Sequence, residues 1–406
     1  MNRSLQQNIR TIYVMGFFHS FLIVVPVFVP LLQGYGLSMS QVLQTQAIFA
    51  LTIALFEVPS GYLADLWGRR NCVLLGAAIN SVGFFSLLWA DTFAEFIVYE
   101  MLLGVGFSLL SGADLAMLYD TELHLANRGE PTAGPSKSLS RLIAIEAAAS
   151  GAAGVVASLL LLWSMDWIIW VQAVTGFAPL LLGLTLVEPP RQRSTAGHSD
   201  NARRIVELLL FGKPVVLWTA LAIIVFGLLA LHVFWSYQKF WELQGIPLEG
   251  FGYIWALFAL TVSLSARYAG ALEQRIGAQR LLLLIAVLPM LGLAGMILLG
   301  GWMGALIALL IQVSRGLSMT VFYNALNRRV PGDFRATVNS VVSLAIRGIF
   351  IVTGPLLGWA LDRYGMGSTL VGLLVIFAPL IVLVLIPLTI RIRRERAAGE
   401  SLVGSI

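Results

Sequence analysis

The chain is built from runs of about twenty apolar residues, the length of α-helix that crosses the hydrocarbon core of a bilayer. Twelve such runs can be marked, at approximately 9–33, 40–64, 71–90, 93–121, 140–163, 166–187, 214–240, 250–272, 279–299, 301–326, 336–361 and 366–390. Within lipid each backbone N–H and C=O must find its partner inside the protein, and a run of this length meets that demand as a helix. An all-α membrane protein of twelve transmembrane helices is therefore expected. Only 12% of the 406 residues are charged, about half the ~25% usual in soluble domains, so a soluble enzyme or carrier is excluded. The single cysteine, Cys72, cannot make an internal disulfide and reads as a small apolar filler at a helix start. The runs around 93–121 and 301–326 are long and carry polar residues, which suits helices tilted and buried among others.

Arginine and lysine between the runs set the orientation, because short loops on the cytoplasmic side collect them. With the N-terminus placed in the cytoplasm, 21 of the 26 basic residues fall on that side and only Lys239 and Arg363 on the other. Arg267, Arg315 and Arg347 remain inside runs. Both termini are thus expected in the cytoplasm, and the first run is expected to be a retained helix rather than a removed signal. Basic residues scattered through short loops do not suit a nucleic-acid surface. The longest polar stretch, EPPRQRSTAGHSDNARRIVELLLFG at 188–212, has the prolines, serines and glycines of a linker. It divides the chain into an N-terminal six-helix half at 1–190, a linker at 191–212, a C-terminal half at 213–392 and a tail at 393–406.

The halves echo each other. LQGYGL (32–37) and LQGIPL (243–248) share Leu, Gln, Gly and Leu between the first and second run of each half. GYLADLWGRR (61–70) and GALEQRIGAQ (270–279) share two glycines and a leucine between the second and third run. Two matches at nearly one offset, in corresponding loops, indicate a duplicated unit. The first of these loops resembles the signature of the major facilitator superfamily, Gly-x-Leu-Ala-Asp-x-x-Gly-Arg-Arg/Lys. Gly61, Leu63, Ala64, Asp65, Gly68, Arg69 and Arg70 fill every fixed position. The resemblance, to a bacterial type, implies two six-helix halves related by a pseudo-two-fold axis along the membrane normal.

In this loop Gly61 is expected to allow close helix packing and Gly68 a turn with positive φ. Glu57, Gly61 and Asp65 are four residues apart and share one helix face. Asp65 is expected to pair with Arg69 or Arg70, or with a helix N-terminus. The resemblance implies that the network latches the two halves on the cytoplasmic side. A plain positive-inside turn is the simpler alternative.

Ionisable residues at membrane depth are costly and mark function by default. The fourth run holds Glu100, Asp114 and Asp120. Glu100 and Asp114 lie close to four helical turns apart and are expected to share a face. Asp114, beside Ser111 and Gly112, is the first choice for a proton-binding carboxylate, with Glu100, Glu146 and His19 as further candidates. A fixed ion pair between Asp114 and a buried arginine is the alternative, and Asp120 is expected to be interfacial or structural. Arg315 and Arg347 suit either an anionic substrate group or pairing with Asp114, Glu100 or Glu146, and pairing is expected for at least one of them. In the seventh run His232, Trp235, Tyr237 and Gln238 are substrate-cavity candidates, whereas Trp241 is expected in an interfacial aromatic belt. GPLLG at 354–358 places small residues at helix-packing spacing. Many drug–proton antiporters of the superfamily carry an arginine in the fourth span and a carboxylate in the first; here Glu100 precedes Gly104 and the first run has no carboxylate.

No phosphate loop, zinc spacing or Ser-His-Asp pattern is present, so no enzyme activity, metal or cofactor is expected and an ion gradient is left as the energy source. The expected protein is a monomer in the bacterial inner membrane, with protons, the lipid bilayer and a small-molecule substrate as its partners. Proton-coupled export is the leading expectation. Uptake of an organic anion or metal chelate is the alternative, and a non-transporting receptor is a third reading.

Overall fold

The computed structural model describes residues 2–190, 214–331 and 334–397; the expected linker and the tail beyond 397 lie outside them. Among the described residues, eleven helical stretches are long and apolar enough to cross a membrane. They are α1 (Leu5–Gly34), α2 (Met39–Glu57), α3 (Arg69–Trp89), α4 (Phe93–Asn127), α5 (Pro135–Leu161), α6 (Met165–Gly183), α7 (Pro214–Leu243), α8 (Leu248–Ile276), α9 (Ala278–Leu298), α10 (Gly301–Arg329) and α11 (Thr337–Glu395). The helix of α2 continues to Trp67.

The count departs from the expected twelve at one place. The runs expected at 336–361 and 366–390 are joined in α11, which has 59 residues. A straight helix of that size would be roughly 90 Å long at ~1.5 Å per residue, about three times the ~30 Å hydrocarbon core. Its helical geometry breaks once, at Gly365 with φ 76° and ψ 173°. Only glycine adopts that backbone readily, so one residue turns the chain without a polar loop.

Two other stretches are interrupted. Regular helix in α1 ends at Ser20, passes a short 3-10 turn at Val25–Val27 and resumes at Phe28–Gly34. Pro26 lies in that turn, where its missing N–H breaks the helical ladder. In α4, helix runs over Phe93–Leu110 and again over Ala113–Asn127, with Ser111 and Gly112 unwound between. Capping boxes fix the starts of α2 and α4, through Ser38 with Gln41 and Thr92 with Glu95. Such a cap contributes about 1 kcal/mol.

Two compact units are present. The first takes in α1 to α6 with residues 247–259 of α8 and 354–358 of α11; the second holds α7, α9, α10 and the remainder of α8 and α11. In the first unit Ile12, Met15, Cys72, Val73, Met117 and Leu142 form a continuous apolar cluster, with Cys72 fully buried. Helices in lipid associate through close backbone approach. Gly154 of α5 and Gly252 of α8 show it: a Cβ on either would collide with the other's carbonyl oxygen. Trp255 Nε1 donates to Ser150 Oγ at 3.4 Å beside this crossing. Gly358 of α11 lies equally close over the backbone of Met39 and Ser40. In the second unit Ser314 Oγ of α10 donates to the Ile285 carbonyl of α9 at 2.7 Å, and Arg329 pairs with Glu395 at 3.0 Å.

Candidate functional site

The charged loop between α2 and α3 is tied to two other elements of its unit. Gly68 ends one helix and starts the next with φ 98° and ψ 148°, the positive φ expected of it. Glu188, just after α6, then caps α3. Its two oxygens accept the backbone N–H groups of Arg69 at 2.9 Å and Arg70 at 2.7 Å. An anion is favoured there by the helix dipole and by the unpaired N–H groups of the first turn. The Arg69 guanidinium pairs with Asp120 of α4 and donates to the Ala116 carbonyl. Arg70 donates to the carbonyls of Leu186 at 2.6 Å and Leu184 at 3.2 Å. The arginines thus do more than mark topology.

Arg69 and Arg70 have partners beyond those expected, Asp120 of α4 and two carbonyls just after α6. The Asp65 side chain lies outside the described residues. Gly61 is exposed, with nothing within 4 Å of where a Cβ would stand among the described residues, so it is not a packing spacer here. Glu57 lies half-buried on the same helix.

A second site forms where α4 unwinds. Asp114 stands in the first turn of the segment that resumes after Gly112, and its Oδ1 accepts the N–H of Leu115 at 2.6 Å. With Gly16 and His19 of α1 and Met117 it lines a small pocket inside the first unit. Glu146 of α5 reaches the same place. A Cβ on Gly16 would overlap the Leu142 side chain and would touch Glu146 Oε1 at 3.5 Å, so glycine lets α5 pack closely on α1 with the Glu146 carboxylate beside it. The charges of Asp114 and Glu146 act on each other. No arginine of this unit forms an ion pair with Asp114 among the described residues. The His19 ring packs 4.4 Å from that of Phe107, centroid to centroid.

Glu100 does not belong to this group. It is 3% exposed and accepts from Nε2 of Gln46 on α2. The shared face expected for Glu100 and Asp114 assumed one unbroken helix, and the break at Ser111–Gly112 resets the helical phase between them.

In the second unit, Tyr237 is 2% exposed and stacks on Trp241, ring centroids 5.8 Å apart at 8°. Gln312 Nε2 of α10 donates to Tyr237 Oη at 3.0 Å. Arg315 lies one turn further along α10, half-buried and within electrostatic reach of Tyr237. Trp241 is fully buried, which overturns its expected place in an interfacial belt; the stack on Tyr237 shields the indole. His232 is tied by Nδ1 to the Leu228 carbonyl at 2.7 Å and packed against Phe350 and Phe377. Trp235 and Gln238 are likewise buried. Arg347 lies half-buried in α11.

The sequence matches the profile described as Major Facilitator Superfamily over residues 11–354. The chain belongs to that superfamily. Known structures agree on the fold. The nucleoside transporter NupG superposes with a TM-score of 0.74 at 12% identity, covering 95% of this chain and 98% of its own. The D-xylose-proton symporter gives 0.71 at 14% identity, covering 94% and 96%. A bacterial homologue of the human lysosomal transporter Spinster, inward-facing and occupied, gives 0.69 at 16% identity, covering 98% and 97%. An uncharacterized transporter of Buchnera aphidicola subsp. Schizaphis graminum (strain Sg) is 23% identical over 243 residues, 58% of each chain. The chain thus spans little more than half the length of that relative.

This superfamily member is accordingly a multi-pass membrane transport protein and not an enzyme. Sequence reading missed Glu188, Gln46 and Gln312, and it left Asp120 apart from the arginine loop. The available signal for Glu188 was a carboxylate directly after the sixth run and before Pro189–Pro190. Gln46 and Gln312 had none, because a glutamine in an apolar run declares its partner only through the fold.

Proposed function

We propose that this facilitator is a secondary active transporter that carries a small organic molecule by alternating access and binds the coupling proton at Asp114, with Glu146 as the neighbouring carboxylate and His19 beside them. The proposal includes twelve crossings, with α11 counted as two joined at Gly365. It includes two six-helix halves, 1–190 and 213–392, related by a pseudo-two-fold axis. It also places both termini on the cytoplasmic side of a bacterial inner membrane, on the distribution of arginine and lysine.

The observation that carries the reading is the meeting of Asp114, Glu146 and His19 at the unwound turn of α4, with no arginine of the unit paired to Asp114 among the described residues. Two carboxylates at membrane depth without a fixed cation suit proton exchange better than a permanent ion pair. Broken helices are where transporters of this kind place ion and substrate contacts.

Export against entering protons is the first version. The second is uptake of an organic anion together with protons, favoured by Arg315. Both predict that Asp114→Asn loses substrate accumulation driven by a pH gradient. Both predict that the same variant keeps exchange of labelled for unlabelled substrate, because exchange needs no net proton movement. Gradient-driven accumulation that survives Asp114→Asn removes Asp114 from the mechanism. The direction of substrate movement relative to the proton separates export from uptake.

A further inference from the structure

We infer that Arg315, beside the Tyr237–Gln312 pair, is the subsite that takes an anionic group of the substrate, a carboxylate or a phosphate. The inference deepens the transport reading above and rests on it.

Three observations within the second unit lead there. Arg315 is a permanent cation in the middle of α10, where an uncompensated charge is expensive. Among the described residues of its unit, no carboxylate forms an ion pair with it; the pairs present are Lys239–Glu242 and Arg329–Glu395. Its polar surroundings are neutral. The Tyr237 phenol is within electrostatic reach, and the Gln312 amide, one turn away on the same face, is bonded to that phenol.

These neighbours are held rigidly. Tyr237 is 2% and Gln312 4% exposed. The phenol has a stacked indole on one side and an amide bond to α10. Ser318 Oγ donates to the Arg315 carbonyl at 3.1 Å, one turn on. Arg315 as a residue keeps part of its surface exposed, and it stands beside this fixed polar wall. A guanidinium presents its donors as a planar fork that fits carboxylate or phosphate oxygens in pairs. A neutral wall adds hydrogen-bonding groups without supplying the missing charge, which leaves that charge to the ligand.

The other mid-membrane arginines do not repeat this arrangement. Arg267 is exposed on α8, and Arg347 has an interaction of its own in the fold.

The test is a thermal-shift titration of the purified full chain in detergent. The probes are benzoate, glycerol 3-phosphate and uridine 5′-monophosphate as anions, with benzyl alcohol, glycerol and uridine as their neutral counterparts. A ligand that binds the folded state raises the melting temperature in proportion to its occupancy. At least one anion should stabilise the protein while its neutral counterpart does not. Its apparent Kd should weaken at least tenfold in Arg315→Ala and in Arg315→Gln, and less in Arg315→Lys. Arg280→Ala, which removes an exposed cation of the same unit, should bind like the wild type. The melting temperature of each variant without ligand reports whether it has folded.

Stabilisation by neutral compounds only, stabilisation by none of the anions, or anion binding that survives Arg315→Ala would overturn the inference. The measurement needs no proton gradient. Anion binding through Arg315 in a protein without flux therefore leaves the subsite standing and removes the transport reading. Proton-driven flux of a neutral compound does the reverse.

Discussion

The contact between Gly68 and Glu188 makes a quantitative prediction about the signature loop. In Glu188→Ala, α3 loses the two carboxylate bonds to the N–H groups of Arg69 and Arg70. Charge-assisted hydrogen bonds contribute ~1.5–3 kcal/mol each; discounted for a half-exposed carboxylate, the pair comes to ~2–4 kcal/mol. In Gly68→Ala, two effects add. The backbone at φ 98° and ψ 148° costs a non-glycine residue ~1–3 kcal/mol. The new Cβ would also stand 3.1 Å from all three carboxyl atoms of Glu188, displacing the cap and weakening both bonds by a further ~1–2 kcal/mol. In the double variant the carboxylate is already gone, so the steric share disappears and only the backbone share remains. The double variant should therefore be less destabilised than the sum of the singles by ~1–2 kcal/mol.

The assay is the melting temperature of the purified protein in detergent. At ~2–4 °C per kcal/mol for a unit of this size, the coupling is about 2–8 °C. Glu188→Gln, which keeps one acceptor oxygen, should fall between wild type and Glu188→Ala. Strict additivity in the double variant, or a Gly68→Ala protein that melts with the wild type, would refute the reasoning.

Two further predictions concern packing and charge. Gly252→Leu drives a side chain into the Gly154 carbonyl and should lower the melting temperature by the equivalent of ~1–3 kcal/mol, with Gly252→Ala intermediate; a Leu variant as stable as wild type would show that α5 and α8 do not need this approach. Glu395→Ala leaves Arg329 largely buried, bonded still to the Ala325 carbonyl at 3.1 Å, and should cost ~1–3 kcal/mol; Arg329→Met with Glu395→Leu should recover part of that loss, and a double variant worse than the single would contradict the assignment.

Much of the fold could be read in the sequence because bilayer thickness imposes a length on every apolar run. At α11 the boundary expected between 361 and 366 falls on Gly365, where the helical geometry breaks although no loop separates the two runs. Within runs, helical phase was extrapolated across breaks that no periodicity reveals. That is why Glu100 was grouped with Asp114, although Ser111 and Gly112 separate them. Gly16 shows what pattern reading misses. A glycine in an apolar helix has many uses, and only the neighbouring α5 shows that this one makes room for Leu142. The arginines of the signature loop were visible, but Glu188 lies more than a hundred residues away in sequence and is joined to them only by folding. Trp241 was placed in an interfacial belt by position along α7, and its burial came from a partner one turn away.

The central claim is that movement of substrate is coupled to movement of protons through this protein, and lumenal pH measures it most directly. The wild-type chain is reconstituted into vesicles loaded with the pH dye pyranine and challenged with a panel of nucleosides, pentoses, amphipathic cations and organic carboxylates. The account predicts that at least one compound shifts the lumenal pH, that a protonophore abolishes the shift, and that Asp114→Asn vesicles of equal protein content do not respond. Substrate entry or exit that leaves lumenal pH unchanged, or a pH response undiminished in Asp114→Asn, would contradict it.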